Sequence, residues 1–340
     1  MRRLILKRLV ALPLVLIGMT LITFVLTHVV PGDPARLLAG PHASAEQVAV
    51  LRHQYGYDAS WFQQYATYVT NLLHGDLGQS ITTRRPVLDD LLQFFPATIE
   101  LTAAAMLIVV LVGIPLGIVS GLTRGRLPDH LSRILTVSSV SIPVFWLGIL
   151  LQTFFYQRVQ VFPVAGRIDP LLLPPSQVTG LYLLDALWSA DLVALQSSLS
   201  HLVLPAITLA ACSTAVVAQM MRMSVVDVGQ SDHVRAAEAK GLRRRLIVRR
   251  HIVKNAMIPV TTVLGLQVGT LLAGSILVEI VFSWPGIGLY AVTAISNLDF
   301  SAIMGVTLLI SFTYVIVNLI VDLAYILLDP RIADAQAVGQ

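Results

Sequence analysis

Six apolar runs, at roughly 9–30, 97–122, 134–156, 202–221, 260–280 and 302–328, punctuate this chain of 340 residues. As helices rising about 1.5 Å per residue, runs of this length reach across a hydrocarbon layer about 30 Å thick. Backbone amides in lipid have no water to bond, so a crossing segment satisfies them internally. Long runs without strict apolar–polar alternation do this as helices. The expected fold class is an all-α polytopic membrane protein with six transmembrane helices. Charged residues make up only 12% of the chain, against about 25% in a soluble domain. A mean hydropathy of +0.77 spread over the whole length excludes a soluble protein with a single anchor.

The first run follows Arg2, Arg3, Lys7 and Arg8, and an A-x-A tripeptide stands at 43–45, so a cleaved secretory signal is one reading. Signal cores are shorter than this run, and the tripeptide lies well beyond its end. The run is therefore expected to be retained as the first span. Six spans place both termini on one side, and the basic residues say which. That side holds the four N-terminal cations, Arg124, Arg126 and Arg133 in the second link, nine between 222 and 258, and Arg331 in the tail. Only six of the 23 Lys and Arg residues fall on the other side. By the positive-inside rule both termini are expected to be cytoplasmic, in a multi-pass protein of the cytoplasmic (inner) membrane.

The chain then divides into an N-terminal segment and first helix at 1–30, a long external loop at 31–96, and a core at 97–340 carrying a cytoplasmic loop at 222–258. The external loop contains WFQQYATYVTNLL at 61–73, and a second long external stretch lies at 157–201. Two readings of these loops stand side by side: an amphipathic cap on the membrane surface, or a docking surface for a soluble partner. Gly113, Gly117 and Gly121 in the second span, and Gly265 and Gly269 in the fifth, have the spacing that lets helix backbones approach closely in lipid. Pro115 and Pro143 are expected to kink or start helices.

Catalytic chemistry finds little purchase. Cys212 is the single cysteine, which excludes disulfide frameworks and cysteine metal sites within the chain. No His pair has H-x-x-x-H spacing, no G-x-S-x-G occurs, and none of Lys7, Lys240 and Lys254 follows a glycine, so a Walker A loop is absent. The chain is expected to be non-catalytic, to carry no metal site and to bind no cofactor itself. Polar groups inside spans are the remaining flags of function. Glu100 and Glu279 lie near outer span ends, where solvated or capping roles are expected. Asn318 and Asp322 share a helical face in the last span. A hydrogen bond between helices and a place along a translocation route both fit them, and Glu279 is a further candidate for such a route.

The stretch RAAEAKGLRRRLIVRRHIVKNAMIP at 235–259 is the least hydrocarbon-like part of the core. Asp232 is placed to cap a short helix that includes Arg235, Ala236, Ala237 and Lys240, and Gly241 to end it. Its small residues suit close approach to a partner's groove. Behind Gly241, Arg243, Arg244, Arg245, Arg249 and Arg250 suit contact with lipid phosphates as a membrane anchor, with an interface role as the alternative.

RAAEAKG followed by Pro259 resembles the coupling loop of ABC importer permeases, in the long-spaced form of peptide permeases. HVVPGDPA at 28–35, GDLGQS at 75–80, RRPVLDDLLQFFPATIEL from 84, SIPVFWLGILL at 141–151, LVEIVFSWPGIGLYAVTAISNLDF at 277–300 and NLIVDLAYILLDPRI at 318–332 extend the likeness over nearly the whole chain. The likeness is to the first of two permease subunits in a dipeptide/oligopeptide importer of type I architecture. It departs from the family pattern at Arg235, where the first Glu of E-A-A would stand, so no Glu-mediated contact is assigned there. The resemblance implies that the helix around Arg235–Gly241 docks on an ATPase subunit, with ATP and Mg bound by one or two separate ATPase chains. It also implies a heterodimer with a second permease, an extracytoplasmic substrate-binding protein, a peptide substrate, and no nucleic acid. Importers of nickel chelates, glutathione or oligosaccharides have similar permeases, and an ion-coupled carrier is the reading from another class. Charge reversal at Arg243, Arg244 and Arg245 is expected to reduce correct insertion, read with reporter fusions on the flanking loops. Normal insertion with loss of ATPase binding would place these residues at the interface instead.

Overall fold

Proline and glycine decide where the apolar runs bend and how closely they pack. The structure, a computed structural model, describes residues 2–29, 34–40, 42–54 and 56–328. The P-G-D stretch at 31–33 and the tail cation Arg331 lie outside the described residues, as do the side chains of Arg2, Arg3, Lys7, Arg8 and Asp322. In chain order the helices are α1 (Arg2–Val29), α2 (Pro34–Ala39), α3 (Ala45–Gln54), α4 (Trp61–Leu73), α5 (Val87–Ile108), α6 (Ile114–Leu122), α7 (Leu127–Ser141) and α8 (Val144–Gln152). Then come α9 (Tyr182–Trp188), α10 (Leu192–Gly229), α11 (Asp232–Ala239), α12 (Arg244–Leu246), α13 (Lys254–Val281), α14 (Ile287–Ser296) and α15 (Phe300–Leu328). Wider π-helical turns at Val109–Gly113 and Ile247–Val253 join α5 to α6 and α12 to α13.

Four stretches among the described residues are long and apolar enough to cross a membrane: Val87–Leu122, Leu192–Gly229, Arg244–Val281 and Phe300–Ile320. The third expected span is instead two helices, Leu127–Ser141 and Val144–Arg158, meeting at a 104° bend. Pro143 is the cause. It lacks an N–H to continue α7 and pushes Ile142 into extended backbone (φ −90°, ψ 124°). The described part of α1 contributes a shorter apolar helix, Pro13–Val25. The second and fifth crossing helices also start earlier than their apolar runs, because Asp89, Asp90 and the basic 244–254 stretch are helical as well.

The chain forms two compact units. One comprises the described residues of Arg2–Pro96 and Gly286–Ile316, and the other Ala97–Pro285 with the described residues from Val317. In the first, Val87, Leu91, Ile287, Tyr290, Ala294, Ala302 and Val306 form the core. Here α4 is started by a reciprocal capping box, with Ser60 Oγ accepting from Gln63 N–H and Gln63 Oε1 from Ser60 N–H.

In the second unit α10 is the hub, packing against α6, α7, α8, α9 and α13. Two-thirds (67%) of its apolar window is buried, against 28% for Val87–Leu122. The contact with α6 is a glycine face. A Cβ on Gly117 would lie 2.5 Å from Ala218 O, and one on Gly121 2.7 Å from Val225 Cβ. Gly113 similarly faces the Thr214 carbonyl. Gly117→Ala should therefore destabilise the protein by about 1–3 kcal/mol, since a backbone carbonyl cannot swing aside. The measurement is the thermal midpoint of the purified protein, and an unchanged midpoint would show that the helices are not in close contact there.

Candidate coupling site

The eight-residue helix α11 lies between the two long helices α10 and α13 in sequence. Ser231, not Asp232, occupies its N-cap position, in extended backbone (φ −72°, ψ 154°). The Ser231 hydroxyl donates backwards to Val228 O at 2.5 Å, tying the new helix to the end of α10. Asp232 is the first helical residue, fully exposed, and pairs with Arg235 one turn on at 3.7 Å. A carboxylate in the first turn is still favourable, because it faces unpaired N–H groups. At the other end Gly241 adopts φ +71°, and its N–H and that of Leu242 close on Glu238 O and Ala237 O. A side chain there would meet open space, so the glycine is required by its backbone conformation and not by close packing.

Which face α11 presents is decided by burial. Val234 and Ala237 are 1% and 4% exposed and join the core of Ile247, Ile252, Ala256 and Val260. The small size of Ala237 therefore serves packing on the protein's own helices. Asp232, His233, Arg235, Ala236, Glu238, Ala239 and Lys240 are exposed and form the free face. His233 Nε2 lies 3.2 Å from Asn255 Nδ2, and Asn255 also donates to His251 O, so α11 is tethered to the base of α13. Arg243, Arg244, Arg245, Arg249 and Arg250 are all exposed. The last two sit on the wide turn that leads into α13.

Among the described residues, buried charge clusters also stand outside this helix, three of them set out below. Asp129, 1% exposed, receives a bidentate pair from Arg222 at 2.6 and 2.9 Å, with further bonds from the Ser120 hydroxyl and Gly125 N–H. Arg167 pairs with Glu100 at 2.5 Å, donates to Gly180 O, and lies 3.7 Å from the Tyr182 ring centroid and 5.6 Å from that of Trp284. Glu100 also accepts from Leu183 N–H. Asp90 and Asp299, both at 0% exposure, form the third. The Ser80 hydroxyl and Thr82 N–H donate to Asp299, and the Thr83 and Tyr290 hydroxyls to Asp90. Burial pushes the Tyr290 hydroxyl well above the ordinary tyrosine range, so it stays a donor.

Two family models match the sequence. Residues 1–102 fit the N-terminal part of a binding-protein-dependent transport system membrane component, and residues 113–334 the inner membrane component of such systems. The chain belongs to this family. A probable D,D-dipeptide transport system permease protein of Escherichia coli K12 is 49% identical over 321 residues, 94% of either chain. A di/tripeptide transport system permease protein of Pseudomonas aeruginosa is 42% identical over 316 residues, 93% of this chain and 94% of the relative. The dipeptide transport system permease protein of E. coli K12 is 40% identical over 336 residues, 98% and 99% of the two chains.

Within this transport-component family the buried charges are what sequence reasoning missed. Glu100 and Glu279 are not solvated at span ends. Glu100 is ion-paired, and Glu279, at 0% exposure, accepts from the Thr98 hydroxyl at 2.7 Å. Arg222, counted among the basic residues of the 222–258 loop, is held by Asp129 and is not a free anchor. Asn318 is half-buried on α15. The available signal was charge inside or beside apolar runs, but nothing in the spacing pairs Glu100 with a residue 67 positions away. Glu100→Gln should cost about 3–5 kcal/mol, because it leaves the Arg167 guanidinium buried without a counter-charge. The Glu100→Leu/Arg167→Met pair should recover most of that stability in thermal unfolding. If the single change is silent, the pair is solvated.

Proposed function

We propose that this chain is one of two permease subunits of an ATP-driven ABC importer that carries dipeptides or short oligopeptides across the cytoplasmic membrane. The observation that carries the reading is α11. It is an eight-residue helix ended at Gly241, anchored by Val234 and Ala237 and tethered through His233 to the start of α13, with its other face free. A helix held this way transmits a push as a rigid lever, since its own packing and the α10 and α13 helices move with it. The permease names of the relatives support the transport role, and their dipeptide names support the substrate class.

In this reading α1 is the sixth crossing helix, both termini are cytoplasmic, and α11 docks on an ATPase subunit that holds ATP and Mg. The partners are a second permease, one or two ATPase subunits and an extracytoplasmic binding protein that delivers the peptide. Asp232, Arg235, Ala236, Lys240 and Gly241 belong to the coupling site, Ala237 supporting it from beneath. Arg243, Arg244, Arg245, Arg249 and Arg250 hold its base at the anionic lipid surface. Asn318, Asp322 and Glu279 are retained as candidates along the route, Glu279 through its buried bond to Thr98.

The two neighbouring alanines test the lever directly. Ala236→Trp on the free face should leave the thermal midpoint of the complex unchanged while abolishing the ATP hydrolysis stimulated by peptide-loaded binding protein. Ala237→Trp should lower the midpoint, because overpacking a buried site costs about 1–3 kcal/mol of stability. Full stimulation in Ala236→Trp would remove α11 from the coupling role.

A further inference from the structure

The stretch from Pro170 to Ala190 shows a surface unlike that of a water-exposed loop. Between Asp169 and Asp191 its only side chain charged at neutral pH, Asp185, is 1% exposed. Burial alone would push the Asp185 carboxyl up, but the Thr179 hydroxyl and the N–H groups of Thr179, Gly180 and Val178 hold it below the usual range. The carboxylate is thus kept inside the loop, bonded on all sides. Large apolar groups point outwards instead: Leu171 is 93% exposed, Leu173 87% and Trp188 82%. A soluble loop of this length would present several charges, about one residue in four, and large apolar groups this exposed call for a cover.

The chemistry of that cover follows from α10. Leu192 and Leu199 are exposed near its start, and Ile207 is exposed further along. At 3.6 residues per turn the three lie on one stripe, which begins four residues after Trp188, beyond the break at Ala190 (φ +54°) and Asp191. The helix has 38 residues, about 57 Å at 1.5 Å per residue, well beyond a hydrocarbon thickness of about 30 Å. The stripe therefore continues past the crossing part, where exposed Asp191 and Gln196 stand beside its apolar groups, the mixture that suits a headgroup boundary, and the loop's apolar side chains adjoin it.

We propose that the 170–190 stretch rests in the leaflet at the start of α10 as a monotopic foot, with Leu171, Leu173 and Trp188 inserted among lipid chains. Its irregular backbone limits the depth to the boundary between headgroups and acyl chains, about 5–10 Å, where water still reaches peptide groups. Trp188 is then an interfacial anchor. The Arg167 pair with Glu100, and its bond to Gly180 O, fix the foot to α5, so its contact with lipid is coupled to the helices it is latched to.

Site-directed spin labelling tests this in the assembled transporter. On a Cys212→Ser background, Leu171→Cys and Trp188→Cys are labelled with a nitroxide in phosphatidylethanolamine/phosphatidylglycerol bilayers, with and without binding protein. Relaxation by oxygen with loss of relaxation by the water-soluble nickel chelate Ni-EDDA, at both positions and in both conditions, is the expected result. Strong Ni-EDDA relaxation without binding protein would overturn the proposal. If that relaxation then falls when binding protein is added, the patch is a protein dock. Shielding of the labels from both reagents would overturn it too, by showing that another subunit covers the patch.

Discussion

Close backbone packing between α10 and the glycine face of α6 is the interaction on which the larger unit depends. In lipid there is no hydrophobic gain from bringing apolar helices together, so association rests on van der Waals contact and on hydrogen bonds between helices. Gly113, Gly117 and Gly121 let α6 approach until its backbone faces the carbonyls of Thr214 and Ala218 and the side chain of Val225. With α10 held there, α7, α8, α9 and α13 pack around it, and the Arg222–Asp129 pair closes one side with four hydrogen bonds to the carboxylate.

The buried ion pairs answer a second demand of the membrane. A charge removed from water costs several kcal/mol unless it is paired and its remaining lone pairs are bonded. Asp129 and Glu100 each receive a cation together with backbone N–H groups, and Arg167 adds an aromatic face. Such pairs contribute modest net stability, yet either partner alone would be strongly unfavourable. They therefore fix which loop meets which helix: 167–183 is held to α5, and α7 to α10.

Helix α11 shows how one short segment serves two demands. Its buried face, Val234 and Ala237, belongs to the permease core, while the exposed face carries the charges and Ala236. A helix this short is marginal in isolation. Its persistence comes from the tertiary contacts beneath it and from Gly241, whose positive φ ends it cleanly. The same division explains why the two alanines, adjacent in sequence, have different surroundings.

Much of this was legible in the sequence. The apolar runs, the basic bias and the glycine spacing carry local or compositional signals, and the all-helical membrane class, the short helix ending at Gly241 and the close-packed glycine face follow from them. Pairings across tens or hundreds of residues do not. Nothing local distinguishes exposed Asp89 from fully buried Asp90, and nothing local tells Glu100 that Arg167 will lie beside it. The 104° bend at Pro143 was half visible, since proline announces a break but not its angle. Sequence alone determined that the apolar runs are helical, because a backbone in lipid must satisfy its own hydrogen bonds within the segment. Only the tertiary structure decided which charges are buried and which face of α11 is free, because burial depends on neighbours that distant parts of the chain supply.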